Sequence, residues 1–232
     1  MKPFSLIIPA LNEEEILEKN VKTLIHYSDR LKTPYELIVI SNGSDDASDA
    51  IGKELQEQYS QVRFFSLPRR GVGRAFKKGI AESSYDHIIF MDADLSAELS
   101  FIEKTDLLLE SNVMVLGAKI KGLQHRGIIR KTGSFMFYLS VLLLMGMKYV
   151  DYAPGAKAYR KDFLLRNFKY IDDYTSFVLN LTFIASVKKE PVVEIPIGCE
   201  DSRRSKFNLL KEAFSKYGGL LSLKFKYLFR IL

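Results

Sequence analysis

Four short apolar runs, each followed by a polar turn cluster and a helix-like stretch, constrain this chain more than any other feature. Phe4 to Pro9, Glu36 to Ile40, Arg63 to Ser66 and His87 to Met91 are all of strand length. Strands that alternate with helices predict a mostly parallel sheet covered on both faces, because a parallel connection needs a helical crossover. Asn12 followed by Glu13, Glu14 and Glu15 predicts an N-cap and acidic first turn for a helix reaching about Leu31. The cluster Ser41-Asn42-Gly43-Ser44-Asp45-Asp46 predicts a turn that caps a second helix ending near Tyr59. A third helix is expected over Val72 to Ser83, and a fifth strand over Val113 to Ala118.

The second half reads differently. Thr132 to Met147 carries no charge and is rich in Phe, Leu and Met. A bilayer-spanning helix needs about 20 such residues, so this run leaves open a buried core helix or a helix lying in a membrane interface. Short strands near Ala156–Tyr159 and Val192–Ile197 flank a helix over Phe177–Val187. The tail repeats apolar residues at Phe207, Leu210, Phe214, Tyr217, Leu221 and Leu228 among lysines, the pattern of a basic amphipathic helix, with Gly218-Gly219 expected to interrupt it.

Charge sharpens this division. Eight of the 34 basic residues but only one of the 28 acidic residues lie beyond position 202, a net of +7 there against −1 for the rest. Such a tail suits a nucleic acid, an anionic membrane surface or simple solubility. Cys199 is the only cysteine, so an internal disulfide and a cysteine-based zinc cage are excluded. The short apolar start runs too soon into three glutamates to be a signal peptide, which places the chain in the cytoplasm as an expectation.

The sharpest chemical signal is Asp92-Ala93-Asp94, directly after the fourth predicted strand. Ligands of open parallel sheets bind outside the carboxyl ends of strands. Two carboxylates one residue apart at such an end can both reach a hard divalent cation, Mg²⁺ or Mn²⁺, which is commonly held by one or two carboxylates together with substrate phosphates. Solvated loop acids are the plainer alternative. A second signal is Pro68-Arg69-Arg70-Gly71-Val72-Gly73-Arg74 opening a helix, where backbone amides and the charges of Arg69, Arg70, Arg74 and Lys77 suit an anion. The loop lacks the third glycine of a dinucleotide-binding fingerprint. A third is Pro9-Ala10-Leu11-Asn12-Glu13 after the first strand, beside Ser41-Asn42-Gly43 after the second, where short polar groups suit a base and ribose.

These pieces together resemble family 2 glycosyltransferases of the GT-A fold, and within them the dolichyl- or polyprenyl-phosphate mannose (or glucose) synthase group. The matching segments are Ile7–Glu13, Asn42–Ser48, Gly71–Ala75, Met91–Leu95 and Gly155–Lys161, with weaker counterparts at Gly117–Lys119, Arg130–Lys131 and Arg203–Lys206. The chain departs from the group at Ser41-Asn42, where many relatives carry two aspartates, and at Ser96, where the mannose synthases often place a glutamine.

The resemblance implies an inverting, metal-dependent transfer of a hexose from a GDP- or UDP-sugar to a polyprenyl (dolichyl) phosphate. Asp92 and Asp94 are then the metal ligands. Pro9, Ala10, Asn12, Glu13, Ser41, Asn42, Gly43, Gly71, Arg74, Asp92, Ala93 and Asp94 are the nucleotide-sugar contacts. Asp94, Lys119 and Arg130 are the expected catalytic groups, and Arg130, Lys131, Ser134, Arg203, Arg204 and Lys206 the acceptor-phosphate contacts. Residues 1–202 form the catalytic domain, divided into a donor half (1–118) and an acceptor half (119–202), and 203–232 a basic amphipathic segment. The expected partners are the nucleotide sugar, the lipid phosphate and the cytoplasmic membrane face, not a nucleic acid. Transfer to a sugar hydroxyl is the alternative, with Asp172 or Asp173 as the base. A nucleotidyltransferase is disfavoured because no glycine- and lysine-rich loop follows the first strand. The chain has no tryptophan, hence no Gln-x-x-Arg-Trp motif of a processive polysaccharide synthase.

Overall fold

A computed structural model describes residues 1–118, 124–125, 128–200 and 209–229; the side chains of 124–131, 134, 200, 209–216 and 226 lie outside that description. The chain runs β1 (Phe4–Ala10), α1 (Leu17–Asp29), β2 (Tyr35–Asn42), α2 (Ser48–Gln58), β3 (Val62–Leu67), α3 (Val72–Glu82) and β4 (His87–Phe90). It continues through α4 (Phe101–Ser111), β5 (Met114–Ala118), β6 (Gln124–His125), α5 (Ile128–Met145), β7 (Lys157–Arg160) and α6 (Lys161–Arg166). The last elements are α7 (Phe177–Val187), β8 (Val192–Pro196), β9 (Cys199–Glu200) and α8 (Leu209–Leu228).

Seven strands form one sheet in the order β3-β2-β1-β4-β7-β5-β8. β1 and β2 are buried along almost their whole length, as strands covered on both faces must be. β1 pairs in parallel with β2 and β4, and β2 with β3. β7 alone runs antiparallel, wedged between β4 and β5, while β8 continues the sheet parallel to β5.

Helices cover both faces. Leu17, Val21 and Leu24 of α1, Leu55 of α2 and Phe101, Ile102 and Leu109 of α4 pack on one side. Ala75, Phe76 and Ile80 of α3 and Phe163, Phe177 and Leu181 pack on the other. There Phe76 meets Phe90 edge-on, with centroids 5.1 Å apart, and stacks on Phe177 at 4.7 Å. A third cluster joins α5, α7 and α8 through Val141, Phe183, Leu220 and Leu223.

Two local expectations are corrected. Asn12 does not cap α1, which begins at Leu17; Asn12 adopts φ +55° and turns its amide to the neighbouring loop. Gly218-Gly219 does not interrupt the tail helix, because Gly219 is where α8 seats on α7: a Cβ there would lie 2.5 Å from Ser176 Oγ. α4 fills the interval between the fourth and fifth predicted strands. The apolar run of α5 is neither fully buried nor long enough to span. Val141 is buried, whereas Phe135, Met136 and Leu143 are exposed, Leu143 at 83%. Among the described residues no helix is long and apolar enough to cross a membrane.

Candidate active site

The strand order fixes where a ligand site belongs. β1, β2 and β3 step outward in one direction and β4 returns to the other side of β1, so the order reverses beside β1. Ligands of open sheets bind outside the carboxyl ends at such a reversal. Four loops meet there: Leu11–Ile16, Gly43–Ala47, Pro68–Gly71 and Met91–Ser100. Every predicted donor-site residue stands at this edge.

The first two loops are stitched together. The Asn12 amide N–H donates to Asp45 Oδ1 at 2.5 Å, while the Asp45 backbone N–H donates to Asn12 Oδ1 at 3.0 Å. The backbone N–H groups of Asn12, Glu13 and Glu14 donate to Ser44 Oγ, Ser48 Oγ and Asp46 Oδ2. Partial burial pushes the Asp46 carboxyl up, but hydrogen bonds from Ser48 and Glu14 outweigh it and hold it below the usual range. Ser41 Oγ–H donates to Ser44 Oγ at 3.0 Å.

Buried Asn42 extends the lattice across three loops. Its Nδ2–H donates to the Ala10 carbonyl at 2.8 Å, and its Oδ1 accepts from Gly71 N–H at 3.2 Å. Gly43, at φ +84°, brings the second loop onto the third so closely that a Cβ would stand 2.7 Å from Arg70 N. The amides of Asn12 and Asn42, read from sequence as nucleotide contacts, are therefore engaged within the protein and shape the edge.

α3 also meets the protein at its start. Gly73 leaves no room for a Cβ against the Asp172 carbonyl, and Arg74 N–H donates to the Asp173 carbonyl at 3.2 Å. Arg74 Nη2 pairs with Asp173 Oδ2 at 2.8 Å, and Lys77 Nζ with Asp173 Oδ1. The hydrogen bond from Lys77 is the main cause holding Asp173 below the ordinary carboxylate range, with Arg74 adding to it. Asp172 behaves oppositely. Burial raises its pKa, its Oδ2 accepts from Tyr174 N–H at 2.9 Å, and its Oδ1 is buried without a hydrogen-bond partner. Of the two sequence-nominated bases, Asp173 is the weak one and Asp172 the stronger.

Asp92 and Asp94 follow β4 on a turn held by Leu95 N–H donating to Asp92 O at 3.1 Å and Ser96 N–H to Asp94 Oδ1 at 2.9 Å. Asn20 Nδ2–H reaches over from α1 to the Ala93 carbonyl at 2.8 Å. Asp92 and Asp94 are both partly buried. Gly155 abuts this turn: a Cβ on it would collide with the Asp92 carboxylate. The space kept beside Asp92 and the hard oxygen donors fit Mg²⁺ or Mn²⁺. No third acid, His or Cys joins them in a metal-holding cluster among the described residues.

Sequence reasoning missed Gly155 and Lys157 as parts of this site. The only signal was their presence in the Gly155–Lys161 segment, because a lysine inside a strand gives no hint that it is buried. The predicted acceptor-side positions divide. Arg130, Lys131 and Ser134 fall on α5 with side chains outside the described residues, and Lys119, Arg203, Arg204 and Lys206 lie outside those residues altogether.

Comparison with known proteins agrees with this geometry. The family model described as Glycosyl transferase family 2 matches residues 5–168. The chain is 24% identical to dolichyl-phosphate beta-glucosyltransferase of Homo sapiens, over 98% of this chain and 76% of that protein. It is 28% identical to undecaprenyl-phosphate 4-deoxy-4-formamido-L-arabinose transferase of Yersinia enterocolitica, over 69% of this chain and 50% of that one. Among solved structures, glucosyl-3-phosphoglycerate synthase of Mycobacterium tuberculosis with Mn²⁺, UDP and glucosyl-3-phosphoglycerate superimposes with a TM-score of 0.69 at 19% identity, over 95% of this chain and 79% of that one. That likeness shows the fold, GT-A.

Proposed function

Since the chain belongs to glycosyl transferase family 2 and is a glycosyltransferase, we propose that it moves a hexose from a GDP- or UDP-sugar to a polyprenyl phosphate at a membrane surface. The observation that carries this reading is the position of Asp92 and Asp94 at the sheet's reversal point, in a chain similar along nearly its whole length to a dolichyl-phosphate glucosyltransferase.

Asp92 and Asp94 would hold the divalent cation, whose charge, when bound, neutralises the diphosphate that leaves the sugar. The stitched edge from Pro9 to Glu13 and from Ser41 to Gly43 forms a rigid floor for base and ribose, with Gly71 at its third loop. Such pre-ordering lowers the cost of binding a flexible nucleotide sugar. The acceptor phosphate is an anion near neutral pH, so no protein base has to deprotonate it. The task left to the chain is positioning and charge stabilisation. By sequence, Lys119, Arg130, Lys131, Arg203, Arg204 and Lys206 are the cations for that task, with Ser134 beside them.

Residues 1–202 act as the catalytic unit and 203–232 as a membrane-facing segment in this reading. α5 and α8 pack together and leave Phe135, Met136, Leu143, Leu221, Phe225 and Leu228 exposed. Large apolar side chains exposed in this number suit an interaction surface. The basic residues that the tail carries by sequence favour an anionic membrane, at about 1 kcal/mol for each one near the surface. In this reading the protein sits peripherally, on the cytoplasmic membrane face.

The raised pKa of Asp172 favours a second reading, transfer to a hydroxyl acceptor with that carboxylate as base. One experiment separates the two. Radiolabelled GDP-mannose, UDP-glucose and UDP-GlcNAc are each incubated with the protein, polyprenyl phosphate and Mn²⁺ or Mg²⁺. Label in the organic phase, abolished by chelation and by Asp92→Ala, establishes the lipid phosphate as acceptor and identifies the donor. Donor binding without lipid labelling by any sugar overturns it in favour of a hydroxyl.

A further inference from the structure

Lys157 is a lysine in the middle of a sheet with no exposed surface. It opens β7 and pairs across to Phe90 of β4 and Leu116 of β5. Burying an ammonium is costly unless its protons are satisfied. Here Nζ donates to two backbone carbonyls, Gly117 O at 2.9 Å and Gly155 O at 3.0 Å. The first lies near the carboxyl end of β5 and the second in the turn that enters β7, so one side chain ties that end of β5 to the turn.

That turn is unusual. Gly155 has φ +90° and the next residue, Ala156, φ +45°, a conformation that residues with a Cβ seldom adopt. Such a conformation persists only where its surroundings over-determine it. Two contacts do so: Gly117 N–H donates to the Ala156 carbonyl at 2.9 Å, and Lys157 holds the Gly155 carbonyl. The outer side of the same turn is the Gly155 Cα, which lies directly against the Asp92 carboxylate.

We propose that Lys157 is a positioning residue for Asp92. It holds the Gly155–Ala156 turn at a fixed distance from the sheet, and the turn in turn sets where the Asp92 carboxylate stands. The proposal rests on the reading of Asp92 as a metal-holding group. It assigns Lys157 no contact with substrate.

The test is Mn²⁺ binding to the full chain in the presence of UDP or GDP, read as loss of the free-ion signal in electron paramagnetic resonance. Proteins are Asp92→Asn, Lys157→Met, and the double variant, each checked for fold by circular dichroism. Residues that orient a metal ligand typically change metal affinity by about tenfold to a hundredfold. Lys157→Met is expected to weaken Mn²⁺ binding within that range, and to weaken it no further when Asp92 is already Asn, since a residue acting through another is silent once that other is gone.

Wild-type Mn²⁺ affinity in folded Lys157→Met, or losses that multiply in the double variant, would overturn the proposal. Unchanged Mn²⁺ binding in Asp92→Asn, or none in the wild type, would overturn the underlying reading of the site and the proposal with it. If Lys157→Met does not fold, Gly155→Ala replaces it in the same cycle with the same outcomes, because its methyl group must displace the Asp92 carboxylate.

Discussion

Arg74 and Asp173, 99 residues apart in sequence, meet in a two-point ion pair: Nε and Nη2 of the arginine lie 2.9 and 2.8 Å from the same carboxylate oxygen. Lys77 takes the other oxygen. The pair fastens the start of α3 to the segment before α7, and so joins the donor-side loops to the second half of the chain.

Asp173→Asn tests this link through pH. The folded state depresses the Asp173 pKa, so its contribution is present above the unfolded carboxylate value near 4 and disappears as pH falls through the lower folded value. With the carboxylate about a third exposed, the loss is expected to be on the order of 1 kcal/mol at pH 7. Thermal melts should show Tm lower by about 2–4 °C at pH 7, with the gap to wild type closing as pH falls below the ordinary carboxylate range.

Asp172 has the opposite sign. Burial raises its folded pKa, so whatever stability it lends is full below the unfolded pKa and lost as pH rises through the folded one. Asp172→Asn keeps an acceptor for Tyr174 N–H and removes the buried charge. Its Tm at pH 7 is expected to equal or exceed wild type, with transfer activity retained. A fall in kcat of about a hundredfold or more in a folded protein would instead mark Asp172 as a general base.

Gly73→Ala is expected to be strongly destabilising, by about 2 kcal/mol or more, because its methyl group collides with the Asp172 carbonyl and backbone cannot swing aside as a side chain can. Urea unfolding measures the loss. Gly133→Ala serves as the control, since a Cβ there meets nothing within 4 Å.

Leu143→Glu together with Leu228→Glu places charge on the α5–α8 face without touching the core, as both side chains are exposed. Sedimentation with vesicles of anionic phospholipid should fall at least several-fold, while the melting temperature stays within about a degree because exposed positions carry little stability. Retained vesicle binding would show that another face meets the membrane.

Asp94→Ala is expected to lower transfer by at least about a hundredfold with the fold intact, matching the effect of a chelator on the wild-type protein. Activity that survives both treatments would exclude a metal-held donor.

Much of this was legible in the sequence, for a physical reason. Buried parallel strands demand uninterrupted apolar runs, so β1, β2 and β4 and the ligand edge beyond them could be read from composition along the chain. The Asp92-x-Asp94 pair follows a buried strand, and that adjacency alone placed it at the edge. What tertiary structure decided depends on contacts between distant segments, which leave no periodicity. Only the fold shows that β7 runs against its neighbours, and that the amides of Asn12 and Asn42 join loops. Only the fold shows that Asp173 occupies Arg74 and Lys77, and that Gly219 is a seat between helices rather than a break. Lys157 is the sharpest case, because a lysine predicts solvent until the sheet closes around it and supplies two carbonyls for its charge.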